Sequence, residues 1–482
     1  MKQNLLLIFL IPFFSLSQIQ IGGSIDGESS LDLSGFSVSL SGDGSTLAIG
    51  TIGYNSFSGL VRIYKNTSGI WTQIGSDIYG LAGNWFGYRV SLSYDGTILA
   101  IGAPYNNNAN GNNSGYVKVY EYKSNVWSQL GDDIYGKAAD DLSGSSLSLS
   151  KEGHIVAIGA IANSDNGNRS GHVRVYEYKS NTWSIIGNEI NGQAAGDQSG
   201  TSISLSSNGH VIAIGAPDND NINGDKSGHV RIYKYENTLN NWEQLGDDIY
   251  GEYGNDKSGF SVSLSSNGSI VAIGATDNTA NSGQVRVYEN LPSGWSLIGN
   301  SIDGGAIDDK LGWSLSLSSD GSIVAIGVPG GNGGADSSGQ VSIYKNISGL
   351  WKQIGSNING QTTDRQFGHS VSLSADGSMV AISTPNNNNG GSTSVFDLNA
   401  ILSSDSFVLS RFRISPNPAT FQTSIKLNKG LILKKISIYN NLGQFIKSTK
   451  KDIIDTSDLS SGMYYLQIVT DKGNATKKLI IK

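Results

Sequence analysis

The chain has 482 residues, no cysteine, 15% charged residues and a formal net charge of -7. The missing cysteine excludes disulfides, a thiol nucleophile and an acylated lipoprotein N-terminus, and leaves the redox compartment open. The charge is split: from Arg411 onward stand 13 Lys/Arg and 4 Asp/Glu (+9), the remainder holds 20 and 36 (-16), and an acidic body argues against a nucleic-acid partner.

Residues 1–17 begin with Lys2, continue through the apolar stretch from Leu5 to Phe14 and end in Ser15-Leu16-Ser17. The apolar run is too short to cross a bilayer and stops at small residues, the pattern of a secretory signal peptide. Processing is expected between Ser17 and Gln18.

Residues 18–400 are organised by one repeated stretch, Gly-x-Ser-Val-Ser-Leu-Ser-x-Asp-Gly-x-x-x-Ala-Ile-Gly. Its leucine falls at Leu40, Leu92, Leu149, Leu205, Leu264, Leu317 and Leu373, at intervals of 52, 57, 56, 59, 53 and 56 residues. A second signature, Ser-Gly-x-Val-x-Val/Ile-Tyr and then Trp-x-x-Ile/Leu-Gly, follows the first six copies with Trp71, Trp127, Trp183, Trp242, Trp295 and Trp351. A fixed period of this size means one supersecondary unit repeated. In the second copy four strands are expected, at 88–93, 98–103, 116–120 and 127–131. Pairs such as Asp95-Gly96 and Asn208-Gly209 supply the tight hairpin turn between the first two. With no helical period anywhere, the fold class is all-β, a seven-bladed β-propeller of four-stranded blades. Alternation of large residues with serine in the first strand (Phe260, Val262, Leu264 against Ser261, Ser263, Ser265) reads as large-against-small interlocking between blades.

The seventh copy has three strands, at 369–374, 379–384 and 393–398. Gln20-Ile21-Gly22-Gly23 matches Gln73-Ile74-Gly75-Ser76, so the N-terminal strand is expected to close the last blade and remove its open edge. Long loops at 103–114, 216–227, 136–144, 192–200 and 304–312 all emerge on one face. That face is where an unknown glycan or protein ligand would bind.

Asp218, Asp220, Asn223 and Asp225 cluster oxygens of the kind calcium takes. The same composition builds ordinary turns, and that reading is preferred. Asp32, Asp141, Asp197, Asp256 and Asp309 recur before the strand-opening glycine and read as loop staples that accept backbone N–H bonds. The histidines carry no catalytic pattern: His154 and His210 share one repeat position, His172 and His229 another (Leu60, Tyr116, Gln284 and Gln340 elsewhere), and His369 replaces Phe36 or Trp313. They read as packing or surface residues, too dispersed for a metal. The blade tryptophans read as core, and Tyr79, Tyr135 and Tyr250 as packing residues with some promise as stacking surfaces. No catalytic residue and no cofactor is expected.

Residues 401–410 form a short polar link. Beyond it, strands at 423–427, 435–439, 444–448 and 463–469, with turns at 441–443 and 460–462, suggest a small β-sandwich.

Two resemblances follow from these residues. Phe86-Gly87 opening a strand and Gly102-Ala103-Pro104 closing the next resemble the FG-GAP repeat of integrin-α-type propellers, with Gly215-Ala216-Pro217 repeating the ending. Calcium-binding members carry an acidic loop between those strands. Here it has shrunk to Ser93-Tyr94-Asp95-Gly96, so calcium is not carried over. Residues 411–482 resemble, through Ser415-Pro416-Asn417-Pro418, Leu442-Gly443-Gln444 and the run from Asp458 through Gly462 to Leu466, the C-terminal sorting domain of type IX secretion substrates, with an immunoglobulin-like sandwich fold. The sorting motif is Pro416, Asn417, Pro418, Gly443 and Gly462. The resemblance implies a Bacteroidetes-type route to the cell surface or the medium, with the secretion machinery as partner of 411–482. The first functional reading is a monomeric, non-enzymatic adhesion-type binding protein. A polysaccharide lyase or hydrolase acting at the channel and a passive surface protein are the alternatives.

Overall fold

The computed structural model describes residues 18–361, 366–387, 389–402, 412–427, 431–440, 445–470 and 473–482. Ser17, most of the 401–410 link, and Gly443 lie outside the described residues. Contacts divide the chain into a unit Ile19–Asp397 and a second unit that holds Leu398–Lys482.

The first unit is built of seven antiparallel sheets in a propeller-like arrangement. In the second sheet the strands are Arg89–Leu92, Ile98–Ala103, Tyr116–Lys123 and Val126–Gln129, hydrogen-bonded in chain order. The outer strand departs from expectation. It is split, because Ile134–Tyr135 returns to pair with Tyr116 and Val117 after the chain bulges at Gly131, whose φ is +73°. Among the described residues, three single helical turns, Tyr54–Phe57, Asn278–Asn281 and Asn399–Leu402, also depart from the helix-free expectation. The first two carry positive φ at Asn55, Ser56, Thr279 and Ala280. They are loop turns without an apolar period, which is why no sequence signal announces them.

Each second strand is covered on both faces. Ile155–Ala160 is buried at every position, so its sequence shows a continuous apolar run instead of alternation. Glycine in its Ala-Ile-Gly motif answers a close approach: a Cβ on Gly102 would stand 2.3 Å from the Gly144 carbonyl of the next sheet. The clusters between sheets combine one face of each, as where Ile98, Val117 and Val119 meet Leu147, Leu149 and Val156.

The serines of the first strands do more than interlock. The inner edge of each sheet exposes a row of unpaired N–H groups, which are costly when buried. A serine of the preceding sheet caps one of them. Ser39, Ser91, Ser148, Ser204, Ser263 and Ser316 accept from the amides of Leu92, Leu149, Leu205, Leu264, Leu317 and Leu373, and Ser372 accepts from Leu40. At the hairpin turns a chain of backbone bonds runs Gly42 to Tyr94, Lys151, Ser207, Ser266, Ser319, Ala375 and back to Gly42, at 2.7–2.9 Å. Both sets return to their starting sheet.

The tryptophans tie the outer strands. Trp71, Trp127, Trp183, Trp242 and Trp295 each donate the indole N–H to a carbonyl in the preceding sheet: Ile21, Ile74, Leu130, Ile186 and Leu245. Loop staples form as expected. Asp32, Asp141, Asp197, Asp256 and Asp309 each accept two backbone N–H groups from the residues three and four positions earlier. In the last sheet, Ile19 pairs with Asp397, Gln20 with Phe396 and Ile25 with Thr393, so the N-terminal segment supplies the outer strand of the sheet made by Val371–Leu373, Met379–Thr384 and Ser392–Asp397.

The second unit has a three-stranded sheet (Phe412–Ser415, Gln422–Leu427, Ile453–Asp455) and a four-stranded one (Phe445–Thr449, Leu433–Tyr439, Gly462–Thr470, Gly473–Ile481). Ile453–Asp455 had no sequence expectation. Phe412, Ile425 and Ile454 of one sheet share a core with Ile436, Ile438, Leu466 and Ile468 of the other. Asn417 fastens the first turn to the last strand: its amide donates to the Lys478 carbonyl at 2.8 Å and its oxygen accepts from the Ile480 amide at 2.9 Å.

Candidate functional site

The repeat is itself a reference: a position that serves only packing keeps its residue type, and a position that serves a ligand breaks the pattern. The clearest break lies at the start of the first strands. Residues Phe36, Tyr88, Ser145, Thr201, Phe260, Trp313 and His369 occupy one repeat position and together line a cavity of about 430 Å³. Tyr88 bonds back to the Gly102 carbonyl at the end of its neighbouring strand, which puts this cavity at the end from which the long loops emerge.

Its wall is lopsided. Ring centroids step from Phe260 to Trp313 (4.8 Å), Trp313 to His369 (5.9 Å), His369 to Phe36 (5.0 Å) and Phe36 to Tyr88 (5.0 Å). The series continues outward through Trp85 to Tyr105 and to Phe57, the last stacked at 5.3 Å. Trp85 takes a left-handed φ of +57° at a position held elsewhere by Leu33, Leu142, Gln198, Lys257, Lys310 and Gln366, all with the same backbone sign. The conformation does not require tryptophan. Ser145 and Thr201 face this aromatic arc from the other sheets, and their hydroxyls donate to the Leu142 and Gln198 carbonyls at 2.6 and 2.7 Å.

The next repeat position sharpens the break. Ser37, Ser146, Ser202, Ser261 and Ser314 donate to the carbonyls of Gly87, Gly200, Gly259, Gly312 and Gly368 in the following sheet, and Ser370 accepts from Val38. The second copy has Arg89 instead. Its guanidinium lies 4.9 Å from the Tyr88 ring and 5.9 Å from the Phe36 ring, and donates to the Tyr88 carbonyl at 2.9 Å. Among the described residues lining the cavity it is the one permanent charge. Withdrawal from water, with Arg89 close by, pushes the His369 imidazole down to about 4, so it is neutral at pH 7.

The other candidate residues sit elsewhere. Asp218 accepts from the Gln198 side chain, Asp220 from the Lys226 backbone at 2.8 Å, and the Asn223 amide donates to Gly251 at 2.7 Å; these groups serve separate turn contacts. One histidine, still apart from the others, does meet two carboxylates. His172 lies within reach of Asp165 and Glu189. The Lys137 ammonium bonds both carboxylates, at 2.8 and 2.9 Å, and so holds the place a cation would take. His172 stands 3.8 Å from Asp165 yet stays neutral, because burial and then Arg174 push it down to about 4. Tyr79, Tyr135 and Tyr250 correct the packing expectation: they are 57, 44 and 37% exposed, their hydroxyls tied to Asp77, Asp133 and Asp248. Gln18 precedes the first pairing residue, and Gly462 opens its strand opposite Ile481. Pro416 accepts at its carbonyl from the Thr423 hydroxyl, and Pro418 completes the turn that Asn417 anchors. A recess of about 710 Å³ between Phe421, Lys447, Thr449 and Ile453 belongs to the second unit.

Comparison with known families agrees with this division. Residues 413–482 match the secretion system C-terminal sorting domain, and residues 77–120 match the FG-GAP repeat. The protein is exported. Its sorting domain engages the type IX secretion machinery and directs the chain to the cell surface or the medium. Among solved structures, hydrazine synthase of Kuenenia stuttgartiensis is similar at 14% identity and a TM-score of 0.51, over 78% of this chain and 99% of that one. A putative 6-phosphogluconolactonase from Bacteroides uniformis is similar at 12% identity and a TM-score of 0.50, over 72% and 94%. At these identities the likeness concerns the fold alone. The search of the curated proteins found no match.

Proposed function

We propose that the exported chain is a non-enzymatic, adhesion-type binding protein: a seven-bladed propeller, closed by its N-terminal strand, followed by an immunoglobulin-like sorting sandwich. It works as a monomer without calcium or other cofactor, and takes its ligand at the loop-side mouth of the central channel. The observation that carries this reading is the break in the repeat at the channel mouth, where Arg89 replaces the serine of every other copy beside a position whose residue type varies from Ser145 and Thr201 to Phe36, Tyr88, Phe260, Trp313 and His369. The cyclic serine and backbone bonds support the closed ring. A concave cavity of about 430 Å³ with an aromatic arc on one side and serine, threonine and arginine groups around it has the character of a small-ligand site. Glycosidic hydrolysis uses a pair of carboxylates, and the described lining residues offer neither Asp nor Glu.

The test is binding of the purified full chain to glycan and protein arrays, run beside turnover assays on the same polysaccharides. Binding that falls in Trp313→Ser and Trp85→Leu, without turnover, supports the reading. Turnover abolished by the same substitutions would replace it with the enzymatic one.

A further inference from the structure

We infer that the ligand is an acidic carbohydrate, one whose sugar ring carries a carboxylate, with that carboxylate on Arg89 and the ring face against the aromatic arc. The inference rests on the channel mouth being the binding site.

The charge of the ligand follows from how the aromatic faces are already used. Aromatic faces attract cations, but here the cations are internal. Arg89 lies over Tyr88 and Phe36, and Lys310 lies 5.8 Å over Trp313. A cationic ligand would meet both charges. An anion meets a guanidinium that, among the described residues, has no carboxylate partner and only the Tyr88 carbonyl as hydrogen-bond acceptor. Its remaining N–H groups form a planar fork suited to a carboxylate. The repeat makes the substitution pointed: Arg89 replaces a serine that elsewhere staples two sheets, so the second copy gives up a bond to the third sheet and gains a cation in the cavity.

The class follows from the opposite wall. Ser145 and Thr201 have spent their hydroxyl protons on the Leu142 and Gln198 carbonyls, which leaves lone pairs free to accept. A sugar brings a rim of hydroxyl donors for such acceptors and an apolar C–H face for aromatic rings. An acidic peptide brings the charge without the hydroxyl rim or a stackable pyranose face. The rings run from Phe260 through Phe36 to Trp85 and Phe57, from inside the cavity to its outer edge, which suits a sugar at the end of an oligosaccharide with further residues on the outward series.

The full-length protein is titrated with oligogalacturonate, oligomannuronate and hyaluronan fragments, with the methyl esters of the same sugars, and with oligoglutamate. Wild type, Arg89→Ser and Trp313→Ser are compared; each substitution installs a residue the repeat already carries at that position, so the fold is preserved. The expected result is binding of at least one acidic oligosaccharide, at least about tenfold weaker for its methyl ester, the order expected for one charge-assisted bond. Arg89→Ser removes the difference between acid and ester, and Trp313→Ser weakens both. Equal binding of acid and ester, or a preference that survives in Arg89→Ser, overturns the anionic ligand. Oligoglutamate bound as tightly as the sugars overturns the carbohydrate class. If no acidic oligosaccharide binds, the inference fails, while Trp313-dependent binding of a neutral glycan or a protein keeps the site. If nothing binds in a Trp313-dependent manner, the site fails as well.

Discussion

The Leu40 amide donates to the Ser372 hydroxyl at 3.0 Å across 332 positions of sequence. The same bond recurs between neighbouring sheets only 53 to 60 positions apart, so the first and last sheets meet in the same way as any consecutive pair. The N-terminal segment completes that joint, since Ile21 and Ile25 pack against a cluster of Val38, Leu47, Ala381 and Val395, and Trp71 donates to the Ile21 carbonyl at 3.1 Å.

Deleting residues 18–27 is therefore expected to lower the stability of the whole first unit by about 3 kcal/mol or more, through lost strand bonds and exposed apolar surface. Thermal melting of the exported protein checks it. A midpoint within a degree of wild type would dismiss the closure.

Ser204→Ala should cost about 1–3 kcal/mol, because it leaves the Leu264 amide without its 3.0 Å acceptor. Ser128→Ala, exposed on the strand Val126–Gln129, is the control. Equal urea midpoints for Ser204→Ala and Ser128→Ala would mean that the serine ring does not seal the inner edges.

Acid sensitivity has two windows. Burial, with Arg174 and Arg231 next in effect, pushes His172 and His229 from 6.5 down to about 4. Between those values the unfolded chain binds more protons, so stability is complete above pH 6.5 and falls toward pH 4. At Asp95 burial opposes ionisation, but bonds from Ser93 and Thr97 outweigh it and hold the carboxyl below 3.8; its contribution is present above that value and is lost below it. His172→Gln with His229→Gln, which copies Gln284 and Gln340, should shrink the fall in melting temperature between pH 6.5 and 4 to the share that His369, also held near 4 by burial, contributes, and leave the lower window. Unchanged slopes in both windows would refute the assignment.

A pattern repeated in seven copies explains how much could be read without coordinates. Ser-x-Asp-Gly turns and the Leu spacing give the repeat because each hairpin needs the same local chemistry. Gln20-Ile21-Gly22 exposes the closing strand because it repeats Gln73-Ile74-Gly75. What stayed hidden depends on contacts between sheets: the serines look like small packing residues until their acceptor role is seen. The outer strand reads as one piece because the glycine that closes the Trp-x-x-Ile/Leu-Gly signature looks like a strand end, whereas at Gly131 it is a left-handed bulge after which the chain rejoins the sheet. The channel mouth was hidden because its residues are one per copy, more than 50 positions apart. Arg89 against serine in every other copy was the available signal.

Removing residues 411–482 is expected to leave a folded first unit in the periplasm, since the two units have separate cores. Asn417→Ala, which releases both bonds to the last strand, should reduce export with partial unfolding of the tail. Cell fractionation with limited proteolysis measures this. Normal surface delivery of the truncated chain would contradict the sorting role.

EDTA is expected to shift the melting temperature of the full chain by less than a degree. A calcium ion at a hundred times its dissociation constant would add about 2.7 kcal/mol, which thermal melting resolves easily. A drop restored by added calcium would refute the expectation and direct mutagenesis to Asp218, Asp220, Asn223 and Asp225.

The clasp of the last sheet has a mechanical meaning. Ser392–Asp397, the strand from which the sorting tail departs, is gripped on one side by Met379–Thr384 and on the other by Ile19, Gln20, Ile25 and Asp26. Had the ring ended on its own outermost strand, traction on the tail during transit would have peeled away a free edge one bond at a time. Here the load enters an interior strand, and two rows of hydrogen bonds must yield together before the cargo begins to unravel.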